Sequence, residues 1–362
     1  MVGFQNAGQL TVGGSALLNL SVIGTGDPSS ATVYLNGGTV ALQYFHNRGS
    51  GPSQIYFNGS LVRATANVGT FIEPVTDAFI STNGAIIDSQ ANAIGIPQPL
   101  ESDPALAGGA DGGLTKLGTG SLTLSATNTY TGPTVVSNGT LVVNGVLGNG
   151  AVSVGVGTTL AGSGIIGGPV TVKTNGTLNV GGVATNVLTI NNTLTFMPGS
   201  TNVAIISSTI GTSDLVKGIT TANYAGTLQV NNLASPNTPT NGQTFQIFSA
   251  SGFSGNFTNI TSAPGAGLAW SFAPSSGILS VVSGVSQTAP NITSSVTGSN
   301  LTLSWAADHT GWRLLEQTNH LNLGVSSNTN DWATVNGSAL TNQVTIPIAP
   351  AKPGDYYRLV YP

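Results

Sequence analysis

Side chains able to do acid–base or metal chemistry are scarce in this chain: 12 Asp and Glu, 8 Lys and Arg, 3 His and no Cys among 362 residues. Without Cys there is no disulfide framework, no thiolate nucleophile and no thiolate metal site. His46, His309 and His320 show neither an i, i+4 pair nor an HExxH context, so zinc is not indicated. Asp308 and His309 adjoin, but a hydrolase built on them would need a nucleophile elbow, and no G-x-S-x-G occurs. Glu73 and Asp77 fall where the repeat described below lengthens, in a loop of the kind that carries function on rigid scaffolds. Glu101, Asp103 and Asp111 flank GGADGG and raise calcium, yet the recurring Gly-Gly-x-Gly-x-Asp pattern is absent. Solenoid lyases need clustered carboxylates, commonly with calcium and a basic residue. Residues 117–213 hold no Asp or Glu, and Asp77, Asp88 and Asp214 do not share one repeat register. These absences predict a non-enzyme with no cofactor and no metal. Trp312 and Trp332 are candidate glycan contacts, because aromatic faces stack on saccharide rings; the competing reading places them with Trp305 in a sandwich core.

What must position such residues is read from composition and repeats. Only 6% of the residues are charged, against about 25% in ordinary globular chains. With 40% hydrophobic residues and a net charge of -4, the chain lacks the signature of disorder. Eight scattered basic residues make no phosphate-tracking groove, so nucleic acid is excluded as a partner. No apolar run approaches the ~20 residues of a membrane-spanning helix. The opening MVGFQNAGQLTVGG has neither a basic n-region nor an apolar h-region, so no signal peptide is expected in this chain.

A short phrase recurs in which Asn-Gly or Gly-Thr precedes a strand. It reads NGGTVAL at 36–42, NGSLV at 58–62, NGAII at 83–87, TGSLTL at 119–124, NGTLVV at 138–143, GTTLAG at 157–162 and NGTLNV at 175–180. It continues as NTLTF at 192–196 and GTLQV at 226–230. The spacing predicts β-solenoid coils of about 16–21 residues. Gly and Asn serve the turns, where positive φ is required. Alternation as in Thr140-Leu141-Val142-Val143 sends Leu and Val inward and leaves Thr and Asn in outer ladders, with Asn stacks bonded from coil to coil. From 285 onward the phrase stops and short strands with turn signals read as a small antiparallel sandwich. The expected division is 1–284 and 285–362.

Residues 112–145, GGLTKLGTGSLTLSATNTYTGPTVVSNGTLVVNG, closely resemble the autotransporter-associated β-strand repeat. GTTLAGSGIIGGPVTVKTNGTLNVGG resembles later passenger coils, and NGQTFQIFSASGFSGNFTNI at 241–260 the region that closes a passenger. The last module resembles a fibronectin type III or immunoglobulin-like domain through NLTLSW, WRLLEQ and DYYRLVY. The resemblance implies an all-β chain: a right-handed parallel β-solenoid followed by a small antiparallel β-sandwich. It further implies a bacterial extracellular or cell-surface protein with a structural or adhesive role. No translocator barrel follows, so export by the autotransporter route is not expected from these residues.

The apolar run holding Leu17, Leu18 and Leu20 is a candidate interface through which solenoid ends meet head to tail, giving a filament. Partners are thus expected to be further copies of the chain, or surface glycans and proteins. A carbohydrate-binding module, using the tryptophans or an Asn/Thr ladder face, is the alternative, and a polysaccharide lyase or hydrolase ranks below both.

Overall fold

Alternating short strands separated by Gly-rich corners stack into parallel ladders. A computed structural model of the chain describes all residues except 1, 5–7, 20–21, 26–29, 48–50, 234–237, 266, 321, 350–352 and 362. The described residues form two compact units. The first comprises 1–238, 244–262 and 272–280, and the second 239–243, 263–271 and 281–362.

In the first unit, one parallel sheet runs Ala93–Ile96, Ser121–Leu124, Thr140–Val143, Thr159–Ala161, Thr177–Asn179, Thr201–Ser207, Thr227–Asn232 and Asn259–Thr261. A longer parallel sheet carries the other strand of each coil, from Gly8–Asn19 and Ala31–Leu42 through to Leu215–Tyr224 and Phe248–Gly255. This is the predicted all-β solenoid.

Register makes the core. Leu122, Leu141, Leu160 and Leu178 pair in succession across neighbouring coils, and all four are fully buried. The residues beside them, Ser121, Thr140, Thr159 and Thr177, form the outward hydroxyl column. The next partners of Leu178 are Asn202 and then Leu228, so two coils span 24 and 26 residues. The expected length of 16–21 thus fits Leu122 to Leu178 but not these coils. The phrase misleads there because Leu194 belongs to the other sheet, opposite Val170 and Ala222. Asn202 is 2% exposed within the leucine column, an exception the sequence pattern does not announce.

Corners are packed backbone to backbone. At Gly113, with φ +69°, a Cβ would lie 2.0 Å from the Pro133 carbonyl oxygen; at Gly139, also φ +69°, it would lie 2.3 Å from that of Gly120. Glycine is required at both on steric and conformational grounds. The upstream Asn-Gly corners form the expected ladder: Asn58 Nδ2 donates to Asn36 Oδ1 at 3.1 Å, and Asn83 Nδ2 to Asn58 Oδ1 at 2.9 Å. At the downstream end, Tyr224, Phe248, Phe257 and Phe272 make a cluster with ring centroids 5.1–6.2 Å apart. Beside it, Thr244–Gln246 pairs antiparallel with Ile278–Ser283. These rings seal the last coils with apolar surface.

The second unit holds two three-stranded antiparallel sheets, in the orders Thr293–Thr297, Asn300–Ser304, Gln343–Pro347 and Ala333–Thr334, Arg313–Thr318, Asp355–Val360. Their core is Leu303, Trp305 and Leu314, with Ile292, Leu301, Val335, Val344, Ile346, Tyr357 and Leu359 packed around it.

Inward and outward positions on one strand should differ sharply in consequence. Leu141→Ala is expected to cost about 2–5 kcal/mol through lost burial and a residual cavity. Thr140→Ala, one residue away and facing out, should stay within about 0.5 kcal/mol. Urea unfolding of both variants checks this, and equal losses would contradict the alternation.

Candidate functional site

Charged side chains are buried at several corners of the solenoid. Lys116 sits in the column Val62, Ile87, Lys116, Val136, Val154, Val172, where alternation points it inward. It is fully buried. Its ammonium turns to the corner and donates to the carbonyls of Leu117 (2.8 Å), Gly118 (2.8 Å), Gly120 (3.0 Å) and Asn138 (3.1 Å). A buried ammonium without partners would cost several kcal/mol; here four carbonyl dipoles replace its water. Burial lowers its pKa to about 8 against the opposing pull of the Asp88 carboxylate. Asn138 lies on the next coil, so this one side chain ties two coils together.

The carboxylates behave likewise. Asp88 is 6% exposed and accepts from Arg63 Nε at 3.0 Å and Gln90 N at 2.8 Å, with the Gln90 side-chain amide also in contact. Asp111 accepts from the backbone N–H groups of Gly113 (2.9 Å), Gly132 (2.9 Å) and Thr131 (2.7 Å), and from the Thr131 hydroxyl (3.0 Å). Burial alone would raise the Asp111 pKa; hydrogen bonds from Thr131, Gly132, Gly113 and Ser102 outweigh it and hold the carboxyl below its ordinary value. Asp214 accepts from Ile205 N (2.9 Å), Asn186 N (2.8 Å) and Gly181 N (3.2 Å). There burial prevails over those bonds and the pKa is raised.

Of the remaining candidates, Asp103 accepts from Ala105 N at 2.9 Å and from the Ser81 hydroxyl at 2.5 Å. Asp77 accepts from Gln54 Nε2 at 2.8 Å, and Glu73 contacts the His46 ring. Glu101 is half-buried opposite Phe79. Among the described residues, no three His, Asp or Glu side chains converge as a metal site. Lys116, Asp111 and Asp214 thus stitch backbone to backbone, whereas Asp77 and Glu73 pair with side chains.

In the second unit, Trp305 is core. Trp312 is 5% exposed, its indole N–H donates to Ser286 O at 2.7 Å, and its ring packs against His309 and Tyr361. The His309 ring nitrogens lie 2.6 Å from Asp308 Oδ1 and 2.6 Å from Thr288 O, so both are engaged. Trp332 is half-buried; its N–H donates to Ser326 O at 3.0 Å, and the Arg358 guanidinium stands 4.2 Å from the ring centroid. That geometry is a cation–π contact. Of the candidate interface leucines, Leu20 lies outside the described residues. Leu17 and Leu18 pair through their backbones with Thr39 and Val40, and their side chains lie outside the described set.

Sequence reasoning did not find the Lys116 cage or the Asp111 staple. Lys116 had a usable signal: it shares the parity of Leu114 in Leu-Thr-Lys, so a strand facing the core with Leu114 must bury the lysine too. Asp111 offered only its local Asp-Gly-Gly turn, because three of its four donors come from Thr131 and Gly132, which only the stacking brings to it.

The in-register parallel coils define the class, a β-solenoid, and it is similar to the β-helix of autotransporter passengers, a group suggestive of the bacterial surface or medium. In particular, residues 114–143, the coil that carries Lys116, match the passenger-associated transport repeat. No curated protein matches the chain. Among the described residues, no helix is long and apolar enough to cross a membrane.

Removing the Asp111 staple should be costly and pH-dependent. Asp111→Ala leaves buried N–H donors unpaired, at about 1–3 kcal/mol. Because the folded-state pKa lies below the ordinary 3.8, the stabilisation is complete above that value and is lost as pH falls through the lowered one. Denaturant titrations should therefore show a wild-type advantage at pH 7 that shrinks in stronger acid; an advantage constant with pH would contradict the assignment.

Proposed function

We propose that this chain is an extracellular, non-catalytic passenger-like protein with a structural or adhesive role, its solenoid body spanning 1–284 and its C-terminal module 285–362. The observation that carries the reading is the use made of charge. Lys116, inside the region matching the passenger repeat, and Asp111, just before it, are consumed in holding coils together, which leaves a scaffold with weakly charged outer ladders. A scaffold of that kind supports display and contact better than acid–base chemistry, which needs groups free to exchange protons.

A fibre built head to tail through Leu17, Leu18 and Leu20 is the less favoured version. The aromatic cluster around Phe272 already covers the last coils, so that end offers little apolar surface to a neighbour. The second reading, glycan binding, is favoured by one observation: Trp332 is half-exposed and carries Arg358 against its ring, pairing an aromatic face with donors. Trp312, buried and hydrogen-bonded, contributes to the fold instead.

Antibody labelling and protease shaving of intact producing cells test the main reading, with labelled protein at the surface or in the medium as the expected result. Material found only inside cells would sink it. On a glycan array, Trp332→Ala is expected to weaken any glycan signal by about tenfold, equivalent to ~1.4 kcal/mol, with the unfolding transition unchanged. An unchanged signal would remove the tryptophan from the site.

A further inference from the structure

Nine Asn-Gly pairs occur in the chain, beginning at residues 36, 58, 83, 138, 144, 149, 175, 241 and 336. Such a pair can react with itself, because the glycine amide nitrogen is a nucleophile one five-membered ring away from the asparagine Cγ. Glycine has no Cβ to crowd that approach. The attack requires the glycine N–H to lose its proton, so an N–H already bonded to an acceptor resists it.

Hydrogen bonding sorts the nine. Gly59, Gly84, Gly145, Gly176 and Gly242 each donate their N–H to a main-chain carbonyl at 2.8–3.1 Å. Asn36 is engaged through its side chain, whose Oδ1 accepts from Asn58 Nδ2 at 3.1 Å. Among the described residues, the N–H groups of Gly139, Gly150 and Gly337 donate to no acceptor, and Asn138, Asn149 and Asn336 are exposed.

Asn138 differs from Asn149 and Asn336 in what grips its carbonyl. That oxygen belongs to the same peptide group as the attacking Gly139 nitrogen, and it accepts from the Lys116 ammonium at 3.1 Å. When the Gly139 N–H loses its proton, the negative charge spreads onto this oxygen. A cation already aimed at the place where charge develops lowers the cost of forming it.

We propose that Asn138 is a self-modification site, converted by its own corner to aspartate and isoaspartate. The Gly139 nitrogen gives up its proton and bonds to Cγ of Asn138, closing a succinimide. The bond from Cγ to the side-chain nitrogen breaks, and that nitrogen leaves as ammonia with the proton. Water then opens the ring at one carbonyl or the other, giving aspartate or isoaspartate. Isoaspartate adds an atom to the main chain at a corner where Gly139 has no room even for a Cβ, so the converted corner loosens its hold on Lys116.

The test incubates the full folded chain from about pH 7 to about 9 and follows each pair by mass spectrometry of proteolytic peptides. Asn138 is expected to convert about tenfold or more faster than Asn58, Asn144 and Asn175. In urea, which removes the hydrogen bonds of all nine pairs, their rates should converge. Within the folded chain, the ratio of the Asn138 rate to the Asn149 rate should fall as pH passes about 8. There Lys116, opposed by the Asp88 carboxylate that Arg63 holds, gives up its proton and its pull on the carbonyl. The proposal is overturned if folded Asn138 converts no faster than Asn175, or if its ratio to Asn149 is constant with pH.

Discussion

Everything in the first unit depends on the coil-to-coil backbone ladder. Apart from short antiparallel pairings such as those of Thr212–Ser213 and Thr244–Gln246, strands pair in parallel with their equivalents one coil away, so a residue's neighbours above and below are fixed by register rather than by chance of packing. Leucine stacks on leucine from 122 to 178, threonine on threonine from 140 to 177, and asparagine on asparagine from 36 to 83. A slip of one residue would exchange the inner and outer sets throughout. The close corners at Gly113 and Gly139 are a second result of the same ladder: two main chains meet where no side chain fits.

The ladder also explains where the charge went. Where the stack buries a corner, it leaves peptide N–H groups and carbonyls that no strand partner reaches. Asp111 and Asp214 satisfy N–H groups, while Lys116 satisfies carbonyls. Opposite polarity of side chain answers opposite polarity of backbone. These three side chains are thereby committed to the backbone rather than to solvent.

Most of the fold was legible in the sequence because its period is a physical one. The Asn-Gly corners and the two-residue alternation both report strand geometry directly, so architecture and core columns could be read from Leu122 to Leu178. The reading failed where the local phrase ceased to mark a unique sheet. Leu194 sits in the same kind of phrase as Leu178 but on the other sheet, and only pairing reveals Asn202 as the true neighbour. The candidate site was less legible. Trp332 and Trp312 look alike as residues and each donates to a serine carbonyl; their difference lies in the burial that folding supplies.

The ladder has a consequence in time as well. Partners such as Leu141 and Leu160 are separated by one coil, never by the length of the chain. The entropy of closing each loop is therefore nearly constant along the solenoid, and each finished coil presents the template for the next. Such a chain can assemble by successive addition as residues become available, without waiting for its far end. Asn202, a polar side chain between Leu178 and Leu228, is the rung at which that addition gains least from burial. A growing stack is thus expected to dwell there before the aromatic closure around Tyr224 completes it.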